Sequence, residues 1–498
     1  MNKWQSWIYY RTREDSFLYK TCFGILLGSG LLGFILSHFS TPQIGLPPEA
    51  TVNQPGDLLV IASQLPSDLL PQYLETVEQE AFTSEQKTLF RLYTESRLNP
   101  QDNRPVEKIK TLTENYPPVL NSFLTLGLVY ENRVEYLLAA QAFEKENKLS
   151  PYPYLREKAL HAYLVAKSYQ DLDRLKADED YKALFDLNFA YDYAVKKQDW
   201  LSVIKLQIPW DYQDYDLDHM VISCIGGAIW LLLCFQWSQV ASENKTQTSL
   251  LLVGVCLGFL AAQISLLTHT WQTEVLGLNG SGDLPSSLVY SFAGIGLREE
   301  LIKLLCFLPL LAFLLREQRQ LTTLFVAAGV GLGFAIEENF RYFSDLGTGT
   351  SAQRSLMSNF FHMTTTGLVG LSLYRAQKRI HSLDHFFYVL TSVILVHGLY
   401  DSLLSVPEFA EFSMISATVF IFLSFYFFSE IHDLREQRRD VLAFKGSFFI
   451  GFSLLVGITF IWLAWKSGVH KAFLILGSSI LSSGIILLMF AREFKEDS

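Results

Sequence analysis

Long apolar runs alternate along this chain with short polar loops, and one long polar stretch interrupts them. A membrane-spanning helix needs about 20 predominantly apolar residues. Ten runs approach that length, at residues 21–39, 218–237, 249–271, 286–315, 321–340, 355–374, 385–406, 413–430, 446–465 and 472–490. Each run predicts a helix, so the pattern predicts an all-α, polytopic transmembrane bundle with about ten spans.

The long polar stretch, residues 41–217, contains no apolar run that could span a membrane. It predicts a separate soluble domain between an N-terminal anchor, 1–40, and a membrane core, 218–430. Residues 431–498 then form a C-terminal segment of two membrane helices. The run at 21–39 is longer than the apolar region of a signal peptide, so we expect an uncleaved anchor.

Within the soluble domain, one segment has the spacing of a helical-hairpin repeat. Two of its small residues, Gly127 and Ala139, would let neighbouring helices approach closely, and Pro151 would end the second helix. The positions that agree with tetratricopeptide offsets are Phe123, Leu126, Gly127, Tyr130, Ala139, Phe143 and Pro151. The pattern predicts a tetratricopeptide-like domain that binds a substrate peptide or a regulator. A generic α-hairpin domain without a binding groove is the alternative.

Basic residues beside the short loops predict the orientation, because cytoplasmic loops are enriched in Lys and Arg. Placing the N-terminus inside puts most of them on the cytoplasmic side, including Lys3, Arg11, Arg13 and Lys20. The other side then holds Arg341, Arg354, Lys466 and Lys471. Both termini are therefore predicted to be cytoplasmic and the soluble domain extracytoplasmic. Residues 41–218 carry the whole net charge of −10, and the domain has no basic stripe, which argues against nucleic acid as a partner.

Charged residues inside an apolar run are the strongest functional signal in the sequence. Glu299 and Glu300 are adjacent within the run at 286–315. A charge near the bilayer centre costs about 2.5–3.5 kcal/mol on insertion scales, so such residues are usually functional. Lys303 follows Glu299 by one helical turn and is expected to neutralise one carboxylate.

The next three runs also carry polar groups. Glu338 and Asn339 follow a glycine-rich segment, His362 lies within the sixth run, and His397 lies one helical turn before Asp401. With the N-terminus inside, all four motifs fall in the outer half of the membrane. A solvated helix end is the alternative explanation for Glu338 and Asn339. For His362 the alternative is a hydrogen bond between helices.

This ordered set, E-E-x-x-K, F-x-x-x-E-N, a histidine-bearing helix and H-x-x-x-D, resembles the PrsW family of intramembrane proteases. The resemblance covers about residues 220–430 and does not extend to the soluble domain. It implies a protease of the bacterial inner membrane that cleaves membrane-associated proteins near the extracytoplasmic side. Anti-sigma factors are the substrate class that it implies, and regulated proteolysis is the pathway.

Peptide hydrolysis needs a base, stabilisation of the oxyanion and a proton for the leaving nitrogen. We expect Glu299 to be the base, tuned by Glu300 or Lys303, and His397, oriented by Asp401, to stabilise the oxyanion or donate the proton. Further candidates for positioning water or the substrate carbonyl are Glu338, Asn339 and His362.

Two questions stay open at this point. The first is the cofactor: the enzyme uses either none or zinc, and a zinc ion would be held by His362, His397, Glu299 and Glu338. The second is the class of protein. A proton- or cation-coupled transporter and a non-catalytic receptor scaffold are the alternatives to a protease.

Overall fold

The computed structural model describes residues 7, 10–38, 55–79, 83–238, 245–280, 282–317, 319–434 and 443–494. All regular elements in these ranges are helical, as predicted. Lys3 and the first part of the predicted soluble domain, residues 41–54, lie outside them. The chain divides into two compact units, one formed by Ile44–Trp210 and the other by Met1–Gln43 together with Asp211–Ser498.

The helices are numbered in chain order. The first twelve are α1 (Asp15–Ser37), α2 (Pro55–Gln64), α3 (Leu70–Gln79), α4 (Ser84–Leu98), α5 (Arg104–Glu114), α6 (Ser122–Asn132), α7 (Tyr136–Leu149), α8 (Pro153–Val165), α9 (Tyr169–Lys176), α10 (Glu179–Lys182), α11 (Leu187–Lys196) and α12 (Trp200–Tyr212). The others are α13 (Leu217–Trp237), α14 (Lys245–Leu276), α15 (Leu284–Val289), α16 (Arg298–Glu317), α17 (Gln320–Leu346), α18 (Ser351–Gln377), α19 (Leu383–Ser405), α20 (Met414–Leu434), α21 (Phe444–Ser467), α22 (Val469–Ser482) and α23 (Gly484–Glu493).

The unit Ile44–Trp210 is built from packed helices, and the predicted hairpin is formed by α6 and α7. Gly127 lies so close to α7 that a β-carbon there would be 2.5 Å from the ring of Phe143. Ala139 is fully buried beside it. The small residues therefore allow the close approach that the spacing predicts. The tetratricopeptide assignment itself stays a prediction.

Seven helices of the described residues are long and apolar enough to cross a membrane, namely α1, α13, α14, α17, α19, α20 and α21. The pair α22 and α23 is bent by 54°, and counting it as one broken span gives eight. All ten predicted runs are helical where described, and the described helices give seven or eight candidate spans by length and apolar composition, so the total of about ten stays a prediction. The two runs that do not qualify are those of α16 and α18.

Burial explains how α18 and the charged start of α16 can be so polar. Glu299, Glu300 and Lys303 are 6%, 1% and 0% exposed, whereas later residues of α16 such as Leu305 and Phe313 are exposed. The residues of α18 from Ser355 to Tyr374 are all buried against other helices. A helix that faces protein rather than lipid can keep polar side chains, provided that its neighbours form hydrogen bonds with them. These two helices carry Glu299, Glu300 and His362, so the least lipid-like segments of the bundle hold much of the predicted site.

The glycines of α17 let it pack against helices on both sides, as the sequence predicts. A β-carbon at Gly333 would lie 1.9 Å from the carbonyl oxygen of Val255 on α14. At Gly331 it would lie 2.0 Å from the carbonyl oxygen of His362 on α18. Because the contacted atoms are backbone, neither helix can yield by turning a side chain.

Replacing Gly331 with Ala should therefore force α17 and α18 apart and lower the free energy of unfolding by about 1–3 kcal/mol, as overpacking does. Thermal unfolding of the purified protein in lipid nanodiscs measures this change. Gly477→Ala is the matched control, because a β-carbon there meets no atom within 4 Å. Equal melting temperatures for the two variants would show that the glycine contact is not needed.

Candidate active site

A segment of π-helix, Tyr290–Leu297, joins α15 to α16 immediately before the two glutamates. It packs closely against α19, because a β-carbon at Gly296 would lie 2.8 Å from the carbonyl oxygen of Ile394. Turns of π-helix occur frequently at functional sites. In this chain the close contact brings the first turn of α16 alongside the part of α19 that carries His397.

Glu300 lies at the centre of the site and is 1% exposed. Its Oε1 atom accepts a hydrogen bond from Lys303 Nζ at 2.8 Å, lies 2.7 Å from His397 Nδ1 and accepts a further bond from Thr365 at 3.3 Å. Lys303 therefore pairs most closely with Glu300, three residues before it, and lies 3.7 Å from Glu299. The sequence predicts neutralisation of one carboxylate but does not identify which.

Lys303 also connects α16 to α18. Its fully buried ammonium lies 2.9 Å from His362 Nδ1 and 4.3 Å from the centre of the Phe334 ring. The other ring nitrogen of His362, Nε2, is 3.2 Å from Glu338 Oε2. His362 thus lies between an ammonium and a carboxylate, which orient its ring.

Arg354 holds the polar end of α17. Its guanidinium donates hydrogen bonds to Asn339 Oδ1 at 2.6 Å and to Glu338 Oε2 at 2.9 Å. In the sequence, Arg354 contributes only to the loop charges that predict the orientation, and its contact with Glu338 and Asn339 is not predicted. A signal was present, because Arg354, Ser358 and His362 recur every four residues and so share one face of a helix.

One carboxylate oxygen of Glu299 has no hydrogen bond within the described part of the chain. Oε1 accepts a hydrogen bond from Arg298 at 3.3 Å. Oε2 is buried without a hydrogen-bond partner among the described residues, and both Lys303 Nζ and His397 Nε2 lie 3.7 Å from it. Buried polar atoms are nearly always paired, so an unpaired carboxylate oxygen marks a place for a ligand or a reacting group.

Three side chains around the site are partly exposed, and together we call Glu338, Arg354 and Asp401 the rim. Their side chains are 18%, 19% and 24% exposed, whereas that of Glu299 is 8% exposed. Asp401 Oδ2 lies 3.3 Å from His397 Nε2. The rim is thus the most exposed part of the network, and we expect solvent to approach Glu299 and His397 from that side.

The donor set fits a metal ion of the zinc type. Ligand atoms of Glu299, His362 and His397 lie within 4.8 Å of one another, and all three residues are buried. The unpaired Oε2 of Glu299 faces this space, and Glu300 at Nδ1 of His397 is the kind of partner that orients a ligating imidazole. Glu338, which the sequence also suggests as a ligand, is outside this group of three, and its Oε2 accepts a hydrogen bond from Arg354.

The structure thus places all eight sequence-derived candidates in one connected network, and these are Glu299, Glu300, Lys303, Glu338, Asn339, His362, His397 and Asp401. Asn339 is the most remote of them. Its amide oxygen accepts from Arg354 and its amide nitrogen donates to Asn359 at 2.9 Å. Asn339 therefore supports Arg354 and has no direct contact with His362 or His397 among these hydrogen bonds.

These features define a helical membrane protein with carboxylates, imidazoles and an ammonium buried among apolar helices. Residues 246–428 match the family model described as PrsW family intramembrane metalloprotease, and the whole network lies within that range. The chain therefore contains a PrsW-family intramembrane protease domain and is a protease. Searches of curated proteins and of solved structures gave no significant match.

Proposed function

We propose that this protein is an endopeptidase that hydrolyses peptide bonds of membrane-associated proteins, with Glu299, His362 and His397 around the reacting bond. The observation that carries the proposal is the Oε2 atom of Glu299. It is buried, has no hydrogen-bond partner among the described residues and lies 3.7 Å from His397 Nε2. A carboxylate oxygen without a donor is available to take a proton from water. The nearby imidazole is available to the substrate carbonyl.

Without a metal, the side chains supply the chemistry as follows. Glu299 takes a proton from the attacking water as that water bonds to the peptide carbon. His397 has a carboxylate near each ring nitrogen, Glu300 at 2.7 Å and Asp401 at 3.3 Å. When both nitrogens carry protons, the ring donates a hydrogen bond to the developing oxyanion or passes a proton to the leaving nitrogen.

With zinc, Glu299, His362 and His397 would hold the ion. A zinc ion polarises the substrate carbonyl and lowers the pKa of a bound water. The remaining residues keep the roles that their contacts indicate: Glu300 orients His397, and Glu338 orients His362. Glu299 would then be a ligand, and His362 would exchange one of its two hydrogen bonds for the ion.

The sequence supports both the substrate class and the side of the membrane on which cleavage would occur. The loop charges favour cytoplasmic termini and an extracytoplasmic helical domain. In that orientation the site faces the outer half of a bacterial inner membrane. An anti-sigma factor cleaved in regulated proteolysis then fits as substrate, with the helical domain presenting a substrate peptide or binding a regulator.

The test is to search for new peptide ends. The full-length protein is reconstituted into liposomes with a detergent extract of bacterial membrane proteins, and new N-termini are identified by mass spectrometry. We expect new ends within or next to apolar segments, absent from liposomes without the protein. Folded protein that generates no new ends would contradict the proposal. Repeating the reaction after zinc chelation and metal analysis distinguishes the two versions, because only the zinc version loses activity with its metal.

A further inference from the structure

A second buried polar cluster lies on a different face of α17 from the site, and the proposed chemistry does not use it. Four residues form it: Asp211 at the end of α12, Gln263 on α14, and Glu337 and Arg341 on α17. Asp211 and Glu337 are 7% and 0% exposed. We propose that Asp211 is a positioning residue that fixes the rotation of α17 and so keeps Glu338 against His362.

The contacts of Asp211 join three elements. Its Oδ2 accepts a hydrogen bond from Gln263 Nε2 at 2.6 Å, and its Oδ1 accepts one from the Tyr215 hydroxyl at 2.6 Å. Arg341 lies 3.4 Å from both oxygens. Asp211 is thus the shared acceptor for groups from α14, from α17 and from the segment before α13.

Glu337 completes the cluster from α17. Its Oε1 accepts a hydrogen bond from the same Gln263 amide at 2.5 Å, and Arg341, one turn later, lies 3.9 Å away. Its Oε2 is buried without a hydrogen-bond donor among the described residues. The ion pair between Glu337 and Arg341 is therefore a long one, and we expect the charge of Asp211 to be needed to keep the guanidinium in place.

Neighbouring residues of an α-helix point about 100° apart, since a turn contains 3.6 residues. Glu337 therefore faces α14 and Asp211, whereas Glu338 faces α18, where it meets Arg354 and His362. Turning α17 to release Glu337 would swing Glu338 away from His362. Gly333 packs this helix at an earlier turn, and at the turns that follow the cluster holds one face of α17 while Arg354 holds another.

Asp211 lies before residues 246–428, the range that matches the protease family. The inference rests on the proposed function, because Asp211 would keep Glu338 and His362 of that same site in contact. A carboxylate outside the matched domain would then be needed for full activity.

The test uses the full-length protein with Asp211→Asn and Asp211→Glu. We expect Asp211→Asn to lower kcat about tenfold to a hundredfold with little change in KM, since small misplacements at a reacting site have effects of that size. Asp211→Glu, which keeps the charge, should recover part of the rate. Hydrogen exchange of the backbone amides around Glu338, followed by mass spectrometry without substrate, should be faster in Asp211→Asn.

Glu430→Gln is the matched control. Glu430 accepts two hydrogen bonds from Arg375, at 3.1 and 2.8 Å, in another part of the membrane unit. This variant also breaks a partly buried ion pair, but it should leave kcat and the exchange near Glu338 unchanged. Unchanged exchange in Asp211→Asn, or equal kcat losses in both variants, would overturn the positioning role. If the wild type cleaves nothing, the exchange result still decides the positioning role, and only the proposed function fails.

Discussion

Replacing Glu299 with Gln should lower the rate of cleavage by about 10²–10⁴-fold, the usual contribution of a general base. Gln keeps the size of the side chain, and its amide oxygen can still accept the hydrogen bond from Arg298. What is lost is the basic oxygen that faces His397. Cleavage of the substrate found in the membrane extract, followed on a gel over time, measures the effect.

Glu408→Gln is the matched control for this variant, because it removes the same charge from an exposed position outside the network. It should cleave at the wild-type rate. A wild-type rate for Glu299→Gln would remove Glu299 from the mechanism. If Glu299→Gln is inactive, its zinc content separates the two roles of Glu299. A variant that keeps its zinc has lost a base, and a variant that loses its zinc has lost a ligand.

Replacing Lys303 with Met should lower the free energy of unfolding by about 3–5 kcal/mol, the cost of leaving one partner of a buried ion pair uncompensated. The Lys303 side chain is 0% exposed and that of Glu300 is 1% exposed, so water cannot replace the lost ammonium. Met fills a similar volume, and the expected loss is therefore electrostatic. Thermal unfolding in nanodiscs measures it.

The double variant Lys303→Met with Glu300→Gln should recover much of that stability, because no carboxylate is then left at the position of Glu300. It should not recover cleavage, since His397 loses the carboxylate beside its Nδ1. Equal stability of the single and double variants would show that the loss comes from packing rather than from the unpaired charge of Glu300.

Much of the fold follows from the apolar pattern, because a run of suitable length forms a helix wherever it lies in the bundle. The number of spans does not follow from it. The charged start of α16 and the polar length of α18 are buried against other helices, and hydropathy does not distinguish burial in protein from contact with lipid.

The site follows from the sequence only in part. Spacing along a helix predicts the pairing of His397 with Asp401, because both lie on one face of α19. It does not predict the shorter contact of His397 with Glu300, 97 positions away. That contact depends on the π-helical segment, which changes the register of α16, and on the close packing of Gly296 against α19.

The rim also determines what form of substrate can be cut. An α-helix with its side chains is about 10–12 Å wide, and its carbonyl oxygens are already engaged in hydrogen bonds to amides four residues on. The Glu299 side chain is 8% exposed, and we expect a substrate to reach it past Glu338, Arg354 and Asp401, which would admit only a narrow chain. A scissile peptide must therefore arrive unwound, so segments weakened by Gly or Pro should be cut before uninterrupted helices of equal hydrophobicity.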